Sequence, residues 1–173
     1  HEPVAYITGT RGFWTIDLSV GPGALVPRPD SETLLIAALA HFGNRAPATV
    51  LDLGTGPGTL LLAALDEWPA RGVGVDRSAQ VLAYATSNAT ALGMAHRTAF
   101  VRGDWAAAID ARFDLVLANP PYIGTDEPLP DEVRYLFKVA AIKAYCRRAN
   151  VEKVDAGPKG VVISFRDIAF AQP

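Results

Sequence analysis

The chain has 173 residues, half of them apolar, with one cysteine, three histidines and a formal net charge of −2. This length supports one sizeable core and excludes two independent catalytic domains, and the near-neutral balance excludes strong nucleic-acid binding. Cys146 has no partner for an internal disulfide, no Cys/His cluster has metal-ligand spacing, and neither a bilayer-spanning apolar run nor a secretory leader is present, so a soluble cytoplasmic protein without metal or membrane partner is expected.

Charge is unevenly distributed. Residues 1–128 hold eight arginines, no lysine and thirteen acids, a balance of −5, whereas residues 129–173 hold four lysines and four arginines against five acids, a balance of +3. Such a break predicts a different origin for the last quarter.

In chain order, residues 11–18 read as a strand, Gly21-Pro22-Gly23 as a turn and Ala24-Leu25-Val26 as its continuation, predicting an N-terminal hairpin. After Pro27-Arg28-Pro29, Asp30 or Ser31 can cap a helix with Leu34, Leu35, Ala38, Leu39 and Phe42 on one face, ended by Gly43. Residues 48–53 read as a buried strand, Gly54 to Gly58 as a turn, and Thr59 as the start of a helix. Residues 73–76 are a second strand; Ser78 caps a helix that turns Val81, Leu82, Ala85, Ala89 and Leu92 inward and stops at Gly93. Strands at 99–102 and 113–118 continue the alternation. The fold class is therefore α/β: a doubly wound, mostly parallel Rossmann-like sheet with helices on both faces.

The turn Gly54-Thr55-Gly56-Pro57-Gly58, read alone, is as much a plain structural turn as a nucleotide site. No Lys-Ser/Thr follows it and its spacing is not the dinucleotide fingerprint. The Asp52 carboxylate just before it would repel a pyrophosphate but suit the ammonium of an amino-acid-bearing cofactor. Asp76, at the end of the next strand, stands where an acid accepts from ribose hydroxyls; otherwise it is a helix-flanking acid. Asp104-Trp105 offers a polar group and an indole edge for an adenine ring, with Trp105 otherwise a core or surface aromatic.

Asn119-Pro120-Pro121-Tyr122 is more specific. Two prolines cannot continue a ladder and their rings fix φ, so the segment is rigid. The Asn119 side-chain oxygen and the Pro120 carbonyl could accept from both N–H groups of a substrate –NH₂, aiming its lone pair at an electrophile, while Tyr122 stacks on the planar group. Ligands in open α/β sheets bind at the carboxyl ends of strands, where both motifs fall.

Together with residues 2–9 and 25–32, these motifs resemble the protein-(glutamine N5) methyltransferases specific for release factors, the HemK-like family, over about three quarters of the chain. The resemblance implies S-adenosylmethionine as cofactor, held by Gly54 to Gly58, Asp76 and Trp105, with Arg28-Pro29-Asp30 folding over it. It also implies that Asn119, Pro120, Pro121 and Tyr122 hold a glutamine side chain of a peptide chain release factor. An adenine-N6 nucleic-acid methyltransferase, whose flipped base presents a similar –NH₂, and a non-catalytic binding module are the alternatives. Family members carry an N-terminal helical domain and a seven-stranded sheet; this chain begins at the linker, and only fifty residues follow Ile123.

The segment from Leu129, and above all Val151 to Gly160, resembles the C-terminal domain of bacterial transcription-repair coupling factors. The expected organisation is an N-terminal hairpin and linker over 1–26, a methyltransferase core over 27–127 and a foreign tail over 128–173, a fusion of two fragments. In that tail Pro130 opens a helix, and residues 151–155 and 161–165 form a hairpin that covers the sheet edge where the family's further strands would lie.

Overall fold

A computed structural model describes residues 3–104, 109, 111–119, 151–157 and 160–165. Helix α1 (Val4–Thr8) leads into a hairpin of β1 (Thr10–Phe13) and β2 (Ile16–Ser19), paired from Thr10 with Ser19 to Phe13 with Ile16. The hairpin is thus present but turns at Trp14-Thr15, inside the segment expected to be one strand, and not at Gly21-Pro22-Gly23. Its turn lacks the usual glycine: Trp14 itself takes a φ of 54°, an uncommon conformation for a bulky residue. Hydrogen bonds hold it there. The Trp14 backbone N–H donates to Glu32 Oε1 at 3.2 Å, its indole donates to Glu67, and the Thr15 hydroxyl donates to Asp66 Oδ2 at 2.6 Å.

Pro29–Ser31 form a 3₁₀ turn that runs directly into α2 (Glu32–Phe42), and Gly43 ends that helix as expected. Ser31, at the helix entry, is αR with φ −72° and ψ −18°, and its hydroxyl makes no capping bond. Then follow β3 (Thr49–Leu53), α3 (Thr59–Glu67), β4 (Arg71–Asp76), α4 (Ala79–Ala91), β5 (Thr98–Arg102) and β6 (Leu115–Ala118). The Ser78 side chain caps α4 by accepting from the Val81 N–H at 3.3 Å.

These strands lie in the order β5-β4-β3-β6, all parallel, the strand order of a doubly wound α/β fold, and two further antiparallel strands extend the sheet to six beyond β6. β3 and β6 lie at its centre, and their apolar runs are those of strands covered on both sides. Leu60 to Leu65 of α3 are all buried, because this helix is enclosed by the sheet, α2 and the hairpin. Phe13, Ile16 and Leu18 enter the same core, and each such side chain contributes roughly 1.5–3 kcal/mol by leaving water. β2 touches both α3 and α4, so the hairpin lies across the face these helices cover.

Beyond β6, β7 (Val151–Gly157) and β8 (Gly160–Phe165) form an antiparallel hairpin, and β8 pairs antiparallel with β6 from Leu115–Ser164 to Ala118–Val161. The expected tail hairpin therefore exists, with longer strands, and it covers the edge of β6. The helix expected from Pro130 lies outside the described residues.

Candidate functional site

The first β-α turn builds the site. Gly54, Gly56 and Gly58 have φ values of 73°, 59° and 89°, and the Gly54 and Thr55 N–H groups both donate to the Val75 carbonyl at 2.9 Å. A Cβ at Gly56 would meet nothing within 4 Å, so the backbone there faces open space. That space is a pocket at the carboxyl ends of β3 and β6, walled by the glycine turn, by Leu25 to Arg28, and by Ser31, Asp52 and Asn119. The wall segment is anchored from both sides. The Tyr6 hydroxyl donates to the Ala24 carbonyl, and Gln80 Nε2 donates to the Pro22 carbonyl at 3.0 Å.

Asp52 is 1% exposed. Its Oδ2 accepts from the Thr55 hydroxyl at 2.7 Å and from the Leu61 N–H at 3.2 Å, while its Oδ1 is buried without a partner. Burial pushes its pKa from 3.8 up to about 7; the bonds from Thr55 and Leu61 oppose the shift and nearby Asp76 adds to it. Asn119, just past β6, donates from Nδ2 to the Ser31 hydroxyl at 2.6 Å, and its Oδ1 is likewise buried without a partner. Buried acceptors are ordinarily satisfied. Two orphans at one pocket mark places where N–H donors of a ligand belong.

Of the residues singled out in the sequence, Asp52, Gly54, Thr55, Gly56, Pro57, Arg28 and Asn119 line this pocket together. Asp76 stands behind the turn: its Oδ2 accepts from the Gly56 N–H at 3.1 Å and its Oδ1 from the Ser78 N–H at 2.9 Å. Gly58 packs against Leu62 and Ala85. Pro29 and Asp104 are exposed and do not line the pocket. Trp105, Pro120, Pro121 and Tyr122 lie outside the described residues.

Two contributors escaped the sequence reading. Ser31, a cap candidate by residue type, makes no capping bond, and its hydroxyl meets Asn119 instead. Asn88 of α4, 2% exposed, receives the Ser19 N–H at 2.8 Å and donates to the Ser19 carbonyl at 3.1 Å and the Pro57 carbonyl at 2.9 Å, tying the hairpin to the glycine turn. The available signal was an amide on the apolar face of a helix. Among the described residues no group of His, Cys, Asp and Glu could hold a metal ion, and no helix is long and apolar enough to cross a membrane.

Comparison with known proteins places this geometry. Residues 45–164 match the family described as a methyltransferase domain. The release factor glutamine methyltransferase of Caulobacter vibrioides is 40% identical over 172 residues, covering 97% of this chain and 55% of that protein. Its namesake from Rhodospirillum rubrum is 50% identical over 123 residues, covering 70% of this chain and 38% of that protein. The chain thus spans about half the length, or less, of these relatives. Among solved structures, the Thermus thermophilus 16S rRNA N2 G1207 methyltransferase superposes with a TM-score of 0.60 at 22% identity, over 91% of this chain and 50% of that one, a likeness of fold. The family match continues past Ile123 as far as residue 164. The chain belongs to the methyltransferase domain family and, within it, is similar to release factor glutamine methyltransferases.

Proposed function

We propose that the chain transfers a methyl group from S-adenosylmethionine to the side-chain amide nitrogen of a glutamine in a peptide chain release factor, in the cytoplasm. The observation that carries this reading is the pair of unpartnered buried oxygens, Asp52 Oδ1 and Asn119 Oδ1, in one pocket at adjacent strand ends. The pocket suits the cofactor: Asp52 supplies an acceptor for its ammonium group, and the open backbone at Gly56 admits it closely. When bound, S-adenosylmethionine supplies the methyl group, whose bond to sulfur breaks as the amide nitrogen forms its bond to carbon and releases a proton to solvent.

The protein's own part is positioning. Asn119 Oδ1 accepts one N–H of the substrate amide and orients its nitrogen, which lowers the barrier without a dedicated base. Pro120, Pro121 and Tyr122 complete the substrate side in this reading, and Asp76 and Trp105 the ribose and adenine side. Asp76 already accepts one N–H on each oxygen, and an ionised carboxylate retains acceptor capacity for a ribose hydroxyl.

Calorimetry with S-adenosylmethionine, followed by methyl transfer to release factor and to adenine-containing DNA, tests the reading. Cofactor binding with transfer to release factor supports it. Transfer to DNA alone selects the nucleic-acid activity, and binding without any transfer leaves a cofactor-binding module. Asn119→Ala is expected to retain cofactor binding and lose transfer; unchanged glutamine methylation would overturn the role of Asn119.

A further inference from the structure

We infer that Ser31 is a positioning residue for the reaction: its hydroxyl holds the Asn119 amide through Nδ2 and leaves Oδ1 as the acceptor without a partner. The inference rests on the proposed substrate role of Asn119.

An asparagine amide is nearly symmetric in shape, and rotation by half a turn exchanges its acceptor for its two donors. The two orientations are opposite chemically. A nucleophilic –NH₂ brings only N–H groups on its nitrogen, so it needs an acceptor; an amide presenting its own N–H groups would repel it. The amide must therefore be held in place with its oxygen free, and Asn119 lies at the end of a strand where its backbone alone does not do this.

Ser31 is placed to do so. It is 5% exposed, so water has little access to its hydroxyl. Although it stands at the entry of α2, it makes no capping bond there, and its Oγ instead accepts from Asn119 Nδ2 at 2.6 Å across 88 residues of sequence. With the nitrogen held, Oδ1 is the amide atom left buried without a partner. Ser31 also belongs to the wall formed by Leu25 to Arg28, so the same bond fastens that wall to the end of β6.

The full chain tests this with Ser31→Ala, Ser31→Thr and Ser31→Cys. In ¹H–¹⁵N spectra the two Nδ2 protons of Asn119 are expected to resonate far apart in the parent protein, since one is held by the hydroxyl. Ser31→Ala should bring them together, and Ser31→Thr should restore the separation. With release factor as substrate, Ser31→Ala is expected to lower kcat by about tenfold or more, as loss of orientation does, with affinity for S-adenosylhomocysteine within about twofold; Ser31→Thr recovers the rate. If Ser31→Ala does not fold, Ser31→Cys, whose sulfur is a weak acceptor, carries the same comparison. Unchanged resonances and rate in Ser31→Ala, or equal impairment of Ser31→Ala and Ser31→Thr, would overturn the inference. An active Asn119→Ala chain removes the proposed function instead, and the resonances still report whether Ser31 holds the amide.

Discussion

Asp52 and Asn119 reach the pocket from neighbouring parallel strands: Asp52 is in register with Leu117, and Asn119 follows two residues later. Each brings one buried oxygen with no partner. The two differ in what they can do, because only the carboxylate changes charge, and this separates their experimental signatures.

Asp52 gives a pH-dependent stability. Its folded pKa is raised from 3.8 to about 7, so its contribution is fully present below the unfolded value and lost as pH rises through about 7, at ~1.4 kcal/mol per pK unit and a few kcal/mol at most. Asp52→Asn, which does not titrate, is expected to gain stability relative to the parent between pH 5 and pH 8. Thermal melts of both proteins at the two pH values check this.

Cofactor affinity should follow the same group with the opposite sign. An ammonium beside Asp52 favours the ionised carboxylate, so binding releases a proton where the empty site is protonated. Affinity for S-adenosylhomocysteine is expected to rise toward pH 7 by up to about tenfold per unit and level off above it, and Asp52→Asn to bind weakly with a flat profile. Calorimetry in buffers of different ionisation enthalpy counts the proton.

The glycines of the turn are expected to separate into two kinds. At Gly58, φ is 89° and a Cβ would stand 2.8 Å from Leu62 Cδ1, so Gly58→Ala should cost ~2 kcal/mol or more. At Gly56 the Cβ enters open space, so Gly56→Ala should cost only about 1 kcal/mol for its positive φ yet weaken cofactor binding about tenfold. Urea unfolding and calorimetry on the two variants make the comparison.

Asn88→Ala removes three hydrogen bonds and strands the buried Pro57 carbonyl. A loss of ~2–4 kcal/mol is expected. Asn88→Asp should be as damaging, because it cannot donate to either carbonyl. Urea midpoints at neutral pH measure both.

The alternation from β3 to β6 was legible because each element carries its own local signal: an apolar strand, a glycine turn, Ser78 as a cap, Gly93 as a stop. The hairpin turn was not, since Trp14 carries no turn signal and is held in its left-handed conformation by Glu32 and Glu67, which are distant in sequence. The pocket shows the same division. Asp52, the glycines and Asn119 announce themselves by residue type at strand ends, whereas Ser31 and Asn88 act through bonds spanning 88 and 69 residues, which no periodicity encodes.

The separation of Ser31 from Asn119 also bears on how the molecule comes into being. A ribosome delivers the α2 entry and the glycine turn long before it delivers the end of β6, so a nascent chain can fold α3 and pair β3 with β4 while its pocket still lacks the Asn119 oxygen. Closing so long a loop is an entropic cost met only once β6 docks against β3. Substrate binding thus becomes competent only after β6 docks, and a partly synthesised or misdocked chain holds a glycine turn with nothing to receive a substrate.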